Sequence, residues 1–246
     1  MPISKVSFSI VGHAAWAPGL ETREAWDSWG KAPFTITGDA EPALKQMPSM
    51  LRRRAGSLSR MALEVAYECL DGRKDIPVIF CSRHGDVARA MRLIGDLVRH
   101  EPLSPTDFGL AVHNASAGLF SIARGDHANH LALAAGASTV EHGVIEACGL
   151  LADGAPLVLL VSYDTPLPSV LSRFEDCKEQ PHAWAWLMAP STGPSIHLSW
   201  NSVDEEIFEP ESMPASLQIW NFYIGNMQSI EHKADHRQWH WKRDDA

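Results

Sequence analysis

Residues Ala132 to Gly154 read ALAAGASTVEHGVIEACGLLADG. A short strand ends in small residues, turns, and enters a helix dense in small and apolar side chains. Such a turn points its side chain at a helix N-terminus. There the positive end of the helix dipole lowers a thiol pKa, and free backbone N–H groups can hold an oxyanion. A cysteine at the turn would be an activated nucleophile. The turn residue here is Gly136, which has no side chain and cannot form a thioester. Ser138 reads as the cap of the following helix, with Thr139 as the alternative cap. A rival reading makes Ser138 a substitute nucleophile served by His113 or His142 in a hydrolase or acyltransferase.

Working outward, Val6–Val11 (VSFSIV) is a β-branched, apolar first strand, expected to be buried on both faces. Ala14 to Pro48 is irregular apart from a short helix over Thr22–Trp29, with Thr22 as its cap. Ser57–Leu70 repeats apolar residues at helical spacing and stops at Gly72. Pro77–Cys81 (PVIFC) is a second buried strand, and a helix runs from Gly85–Asp86 to about His100. Pro102–His113 reads as a loop and Ala115–Ala123 as a helix. Leu131–Ala135 is the third strand, Ser138–Leu151 a helix and Leu157–Val161 the fourth strand. This order predicts a layered α/β fold with a mixed, mainly parallel sheet and crossover connections.

Residues 165–246 change character and hold Trp184, Trp186, Trp200, Trp220, Trp239 and Trp241. This tail reads as an extension packed on a single domain that spans 1–246. Ala183–Met188 and Ile196–Trp200 pair as a hairpin across Pro194. Glu205–Pro214 reads as an acidic surface loop, and Ser216–Ile224 as a further strand. His232, His236 and His240 share a face if that segment is helical, and a solvated face is the default.

The 246 residues are 45% hydrophobic and 21% charged, values of an ordinary globular chain long enough for a substantial core. A net charge of −9 argues against nucleic acid, which demands clustered positive charge. Cys69, Cys81, Cys148 and Cys177 are far apart, so they read as thiols of a reducing compartment, the cytoplasm. Met1–Gly12 lacks signal-peptide character, and the apolar run Ala155–Val161 is too short to span a bilayer. His127 and His130 have a ligand-like interval but no carboxylate or cysteine company, so no metal or cofactor is expected. Gly12-His13-Ala14-Ala15 has too few glycines for a phosphate loop.

Four stretches in one order resemble β-ketoacyl synthases. The Gly136 elbow stands where that family has its nucleophilic cysteine. Met47–Met61 (MPSMLRRRAGSLSRM) is similar to the arginine-rich entry to the first long helix of ketosynthase-like chain-length factors. Ser82–Gly85 (SRHG) follows the second strand where the family turns, and Asn114–Gly125 (NASAGLFSIARG) resembles the stretch before the nucleophile strand. The resemblance covers roughly Lys5 to Asp164 and is strongest to the short ketosynthase-like proteins of aryl-polyene clusters. It implies half of a thiolase-like fold. It also implies a non-catalytic, chain-length-factor-like subunit paired with a catalytic ketosynthase, and an acyl carrier protein bearing the growing chain. Neither the nucleophile nor the histidines of the second thiolase half are found. Met91, Ile94, Phe108, Asn114 and Phe120 are then candidates for channel wall and interface. Arg52, Arg53 and Arg54 are candidates for docking the carrier protein or its phosphopantetheine phosphate. A third reading is a lone carrier-protein binding module.

Overall fold

The computed structural model describes residues 4–203 and 212–244. Strand β1 (Ser4–Trp16) runs well past the expected Val6–Val11. Its register shifts between Ile10 and Gly12, and this bulge turns Val11 outward to solvent. The strand is therefore not buried on both faces, although Phe8 is fully enclosed. Helix α1 (Arg23–Lys31) starts at Thr22, whose Oγ1 accepts from the Ala25 N–H. A single turn, α2 (Ser49–Arg52), precedes α3 (Ser57–Leu70), a helix buried along most of its length. Strand β2 (Val78–Cys81) is fully buried.

Next comes α4 (Val87–Val98), capped by the Asp86 carboxylate. The expected loop over Pro102–His113 contains another helix, α5 (Pro105–Leu110). Ser104 accepts from the Asp107 N–H and proline fills the first turn, a cap signature that proline-rich composition had disguised as loop. Helix α6 (Ala115–Arg124), strand β3 (His130–Leu133), helix α7 (Thr139–Ala152) and strand β4 (Val158–Asp164) follow, with one 3-10 turn at Gly136–Ser138.

The remainder gives β5 (His182–Pro190), β6 (Ile196–Ser202), helix α8 (Ala215–Ile224), β7 (Ser229–Ala234) and β8 (Arg237–Arg243). The strand expected over Ser216–Ile224 is this helix α8. It buries residues on nearly every side, so its apolar period is smeared out and its β-prone composition misleads. His232, His236 and His240 lie on the β7–β8 hairpin and not on a helix. The acidic stretch at Glu205–Pro214 lies mostly outside the described residues.

The eight strands form one sheet in the order β3-β2-β4-β5-β1-β6-β8-β7. Strands β3, β2 and β4 are parallel, and the other pairings are antiparallel. Helices cover both faces. The described part of 165–246 is not an extension packed on this sheet from outside: it supplies four of the strands, and β5 lies at the centre between β4 and β1. The alternation in β5 explains the packing. Ala183, Ala185 and Leu187 face α3, and the small alanines let that helix sit close. Trp184, Trp186 and Met188 face the other way and fill the space beneath α7, α8 and α1. On that side Gly143 of α7 lies so close to β2 that a Cβ would meet Cys81 Sγ at 2.5 Å.

The two sheet edges differ. On β7 the exposed Glu231 and Lys233 place charge along the rim. The β3 edge reads His130-Leu131-Ala132-Leu133, with no formally charged residue and with Leu131 exposed.

Candidate functional site

The parallel strands all end on one side of the sheet, and the elbow sits there. After β3, the Ala135 N–H donates to Thr139 Oγ1 at 3.0 Å, and that hydroxyl donates to the Gly136 carbonyl at 2.7 Å. Gly136 itself has φ +55°, a left-handed conformation that glycine adopts without penalty. Ser138 is wholly buried at the N-cap position of α7, but its side chain makes no capping bond.

A group that sequence reasoning missed lies against this elbow. Asp235 and His236 form the two-residue turn of the β7–β8 hairpin, both with positive φ. The Asp235 Oδ2 accepts from the Ser138 hydroxyl at 2.6 Å and from the Ser138 N–H at 3.2 Å. Ser138 Oγ in turn accepts from the Trp239 indole N–H at 3.2 Å. His142 Nδ1 bonds the Ser138 carbonyl oxygen at 2.9 Å, and its ring meets Trp239 edge-on. His113 Nε2 bonds the Leu133 carbonyl oxygen at 3.3 Å. The Ser138 hydroxyl thus has a carboxylate and an indole as partners, and both candidate histidines are on backbone carbonyls. One turn deeper, buried Glu141 accepts from His232 Nδ1 at 3.1 Å and from the Trp241 indole at 3.4 Å, so the hairpin grips α7 twice.

The SRHG turn organises a second polar cluster at the ends of β2 and β4. Ser82 Oγ donates to Asp164 Oδ1 at 2.8 Å, and the Arg83 N–H donates to the same oxygen at 3.0 Å. Burial holds the Asp164 carboxyl above its usual range, against the pull of the Ser82 hydrogen bond. Arg83 pairs with Asp176, and His84 Nε2 with Glu179 at 3.0 Å, tying segment 165–181 down to the sheet. Beside it lies a cavity of about 330 Å³ whose lining includes Ile36, Thr37, Met61, Thr165 and Glu179.

The remaining candidates separate by exposure. Ile94, Leu97, Val98 and Phe108 are 51%, 60%, 73% and 68% exposed and form an apolar corner where α4 meets α5; Met91 is half-buried. Buried Arg89 fixes the corner, donating to Asp86 at 3.0 Å and to Asp107 at 2.6 Å. Asn114 is exposed at the N-cap position of α6 and makes no side-chain cap bond. Phe120 is 3% exposed and packs edge-on against Tyr67 and Phe80, within the core and away from the exposed corner. Arg52 is spent inside the fold, donating to the Ala43 and Leu44 carbonyls, whereas Arg53 and Arg54 are exposed.

A strand-end elbow before a buried helix, in a sheet covered on both faces, defines a thiolase-like α/β protein, with Gly136 at the elbow. Residues 26–242 match the family model for the beta-ketoacyl synthase N-terminal domain, and the chain belongs to that family. No curated protein matches the sequence. Among solved structures, a chain of the ketosynthase (ApeO) in complex with its chain length factor (ApeC) from Xenorhabdus doucetiae is similar at 28% identity and TM-score 0.84, covering 97% of this chain and 100% of that one. The ishigamide ketosynthase/chain length factor is similar at 15% identity and TM-score 0.62, over 80% of this chain and 68% of that one. A chain of AntDE:AntF, a type II polyketide synthase acyl-carrier protein in complex with its ketosynthase, is similar at 11% identity and TM-score 0.66, over 96% and 99%. At such identities the last two share the fold. No helix among the described residues is long and apolar enough to cross a membrane.

Proposed function

We propose that this chain is a non-catalytic, chain-length-factor-like subunit that pairs with a catalytic ketosynthase and walls its acyl channel, in cytoplasmic aryl-polyene, polyketide or fatty-acid-type elongation. The observation that carries the reading is the elbow, where Gly136 offers no atom for a thioester and a carboxylate lies alongside. Two of the similar structures are described as a ketosynthase with its chain length factor. The surface supports pairing. The open β3 edge offers strand addition and the apolar α4–α5 corner offers greasy contacts, surfaces that a lone chain leaves wet. Met91, Ile94 and Phe108 line that corner and are assigned to the channel wall, with Asn114 at its margin. Arg53 and Arg54 are the charges free to meet an acidic carrier protein or its phosphate. The chemistry belongs to the partner, and this chain needs no cofactor of its own.

Co-expression with a co-encoded ketosynthase, followed by gel filtration, should give a tight heterodimer, and the reconstituted pair should yield products of defined length by mass spectrometry. Removing volume at Met91, Ile94 or Phe108 with alanine should lengthen the product, because a packed wall does not refill a cavity. Tryptophan at Ala90 or Ala111 should shorten it. Two methylenes of burial are worth about 1.6 kcal/mol, enough to shift a product ratio roughly tenfold. A chain that ignores every co-encoded ketosynthase, or a length distribution unmoved by all of these substitutions, would overturn the reading.

A further inference from the structure

We propose that Asp235 is the residue that shuts the elbow: the turn of the β7–β8 hairpin carries a carboxylate to the place where an acyl oxyanion would be held. The argument deepens the non-catalytic reading but does not depend on a ketosynthase partner.

Three observations converge on it. The Asp235 carboxylate accepts from the Ser138 N–H at 3.2 Å, a donor at the start of the 14-residue helix α7 that it shares with the Ala135 carbonyl oxygen at 3.1 Å. A helix start is where developing negative charge is best stabilised, and here that position is already filled. Second, the Trp239 indole donates to Ser138 Oγ, so the hydroxyl proton is left for Asp235 at 2.6 Å. The serine is held as a strut between hairpin and helix. Third, a Cβ built at Gly136 would lie 3.4 Å from Asp235 Oδ1 and 3.6 Å from Oδ2. Any thiol placed there would share its surroundings with a carboxylate, which disfavours the thiolate. Glycine at the elbow and aspartate on the turn are thus direct neighbours: a side chain at 136 would lie in van der Waals contact with the carboxylate. Restoring a cysteine by itself would not restore a nucleophile.

The test compares Gly136→Cys with Gly136→Cys/Asp235→Asn in the full chain, with unmodified protein as background for the four native cysteines. Asparagine tolerates the left-handed turn conformation, so the hairpin keeps its turn while losing the charge. Alkylation by iodoacetamide is followed by intact mass from pH 6 to 10. The expected result is a sluggish thiol titrating above the ordinary cysteine range in the single variant. In the double variant the thiol should alkylate at least tenfold faster at pH 7, with its apparent pKa at least one unit lower. Equal rates and equal titration curves would overturn the proposal. Cysteine in a left-handed conformation is strained, so a second measurement leaves Gly136 intact. Asp235→Ala should measurably speed hydrogen exchange of the Ser138 amide, which keeps only its bond to the Ala135 carbonyl, while the middle of α7 stays protected. Unchanged exchange at Ser138 would also overturn it.

Discussion

His182 opens β5 with no exposed surface, its Nδ1–H donating to the Gln180 carbonyl at 2.7 Å and its Nε2 meeting the Ser216 hydroxyl at 2.7 Å. Burial penalises the imidazolium and pushes the folded-state pKa down to about 4. Because the folded value is depressed, the stability held by the neutral ring is complete above pH 6.5 and is lost as pH falls towards 4, a swing on the order of 3 kcal/mol. Asp164 acts in the opposite sense: its raised folded pKa means that stability is lost as pH rises through the shifted value. Comparing the protein with His182→Gln cancels the Asp164 contribution, which is common to both. The gap between their melting temperatures should shrink from pH 7 to pH 4; a constant gap would sink the assignment. Phe120→Ala should cost about 3–5 kcal/mol by opening a cavity between Tyr67 and Phe80. At this scale Gly136 was legible because the whole elbow is contiguous in sequence. Asp235 was not, because its meaning comes from a contact 97 positions away. Nor did the sequence reveal Phe120 as core, since an aromatic in an amphipathic helix reads equally well as wall.

The elements show a similar divide between local and non-local signals. Helices α3, α6 and α7 and strands β2, β3 and β4 were recognisable from their periods and stops alone. Helix α8 was misread because immersion on nearly all sides erases the period that marks a helix. The bulge in β1 was invisible because nothing in VSFSIV announces the shift that throws Val11 outward. Between α4 and α5 the organising residue is Arg89, whose side chain is almost buried between Asp86 and Asp107. Arg89→Ala should leave two carboxylates facing each other without their cation, costing about 3–5 kcal/mol in thermal or denaturant unfolding. Arg89→Lys should recover only part of this loss, because an ammonium cannot reproduce the two-armed geometry.

Across the whole molecule the expected mixed α/β sheet is present, but it is mainly antiparallel and not mainly parallel, because the strands after β4 and β1 itself pair antiparallel, and its extent exceeded what the pattern disclosed. The central strand β5 comes from the tryptophan-rich tail, and its AWAWLM alternation makes sense only once the alanines are seen to face α3 and the tryptophans the opposite layer of α7, α8 and α1. The apolar α4–α5 corner belongs to this scale as well. Ile94→Glu and Leu97→Glu lie on the exposed side of a helix that is otherwise anchored, so the isolated fold should melt within about 0.5 kcal/mol of the parent. Both should abolish co-purification with a ketosynthase while making the free chain more soluble. Association surviving both charges would place the partner elsewhere on the surface.

The unequal rims of the sheet set a valence. A protein with two receptive strand edges can add copies at either end and grow without limit, as fibres do. Among the described residues one edge, β3, is receptive, and the other rim carries Glu231 and Lys233. Any assembly built by strand addition therefore terminates after a single step. Mass photometry of the complex should show a 1:1 species and no ladder of higher multiples, even at concentrations far above the dissociation constant.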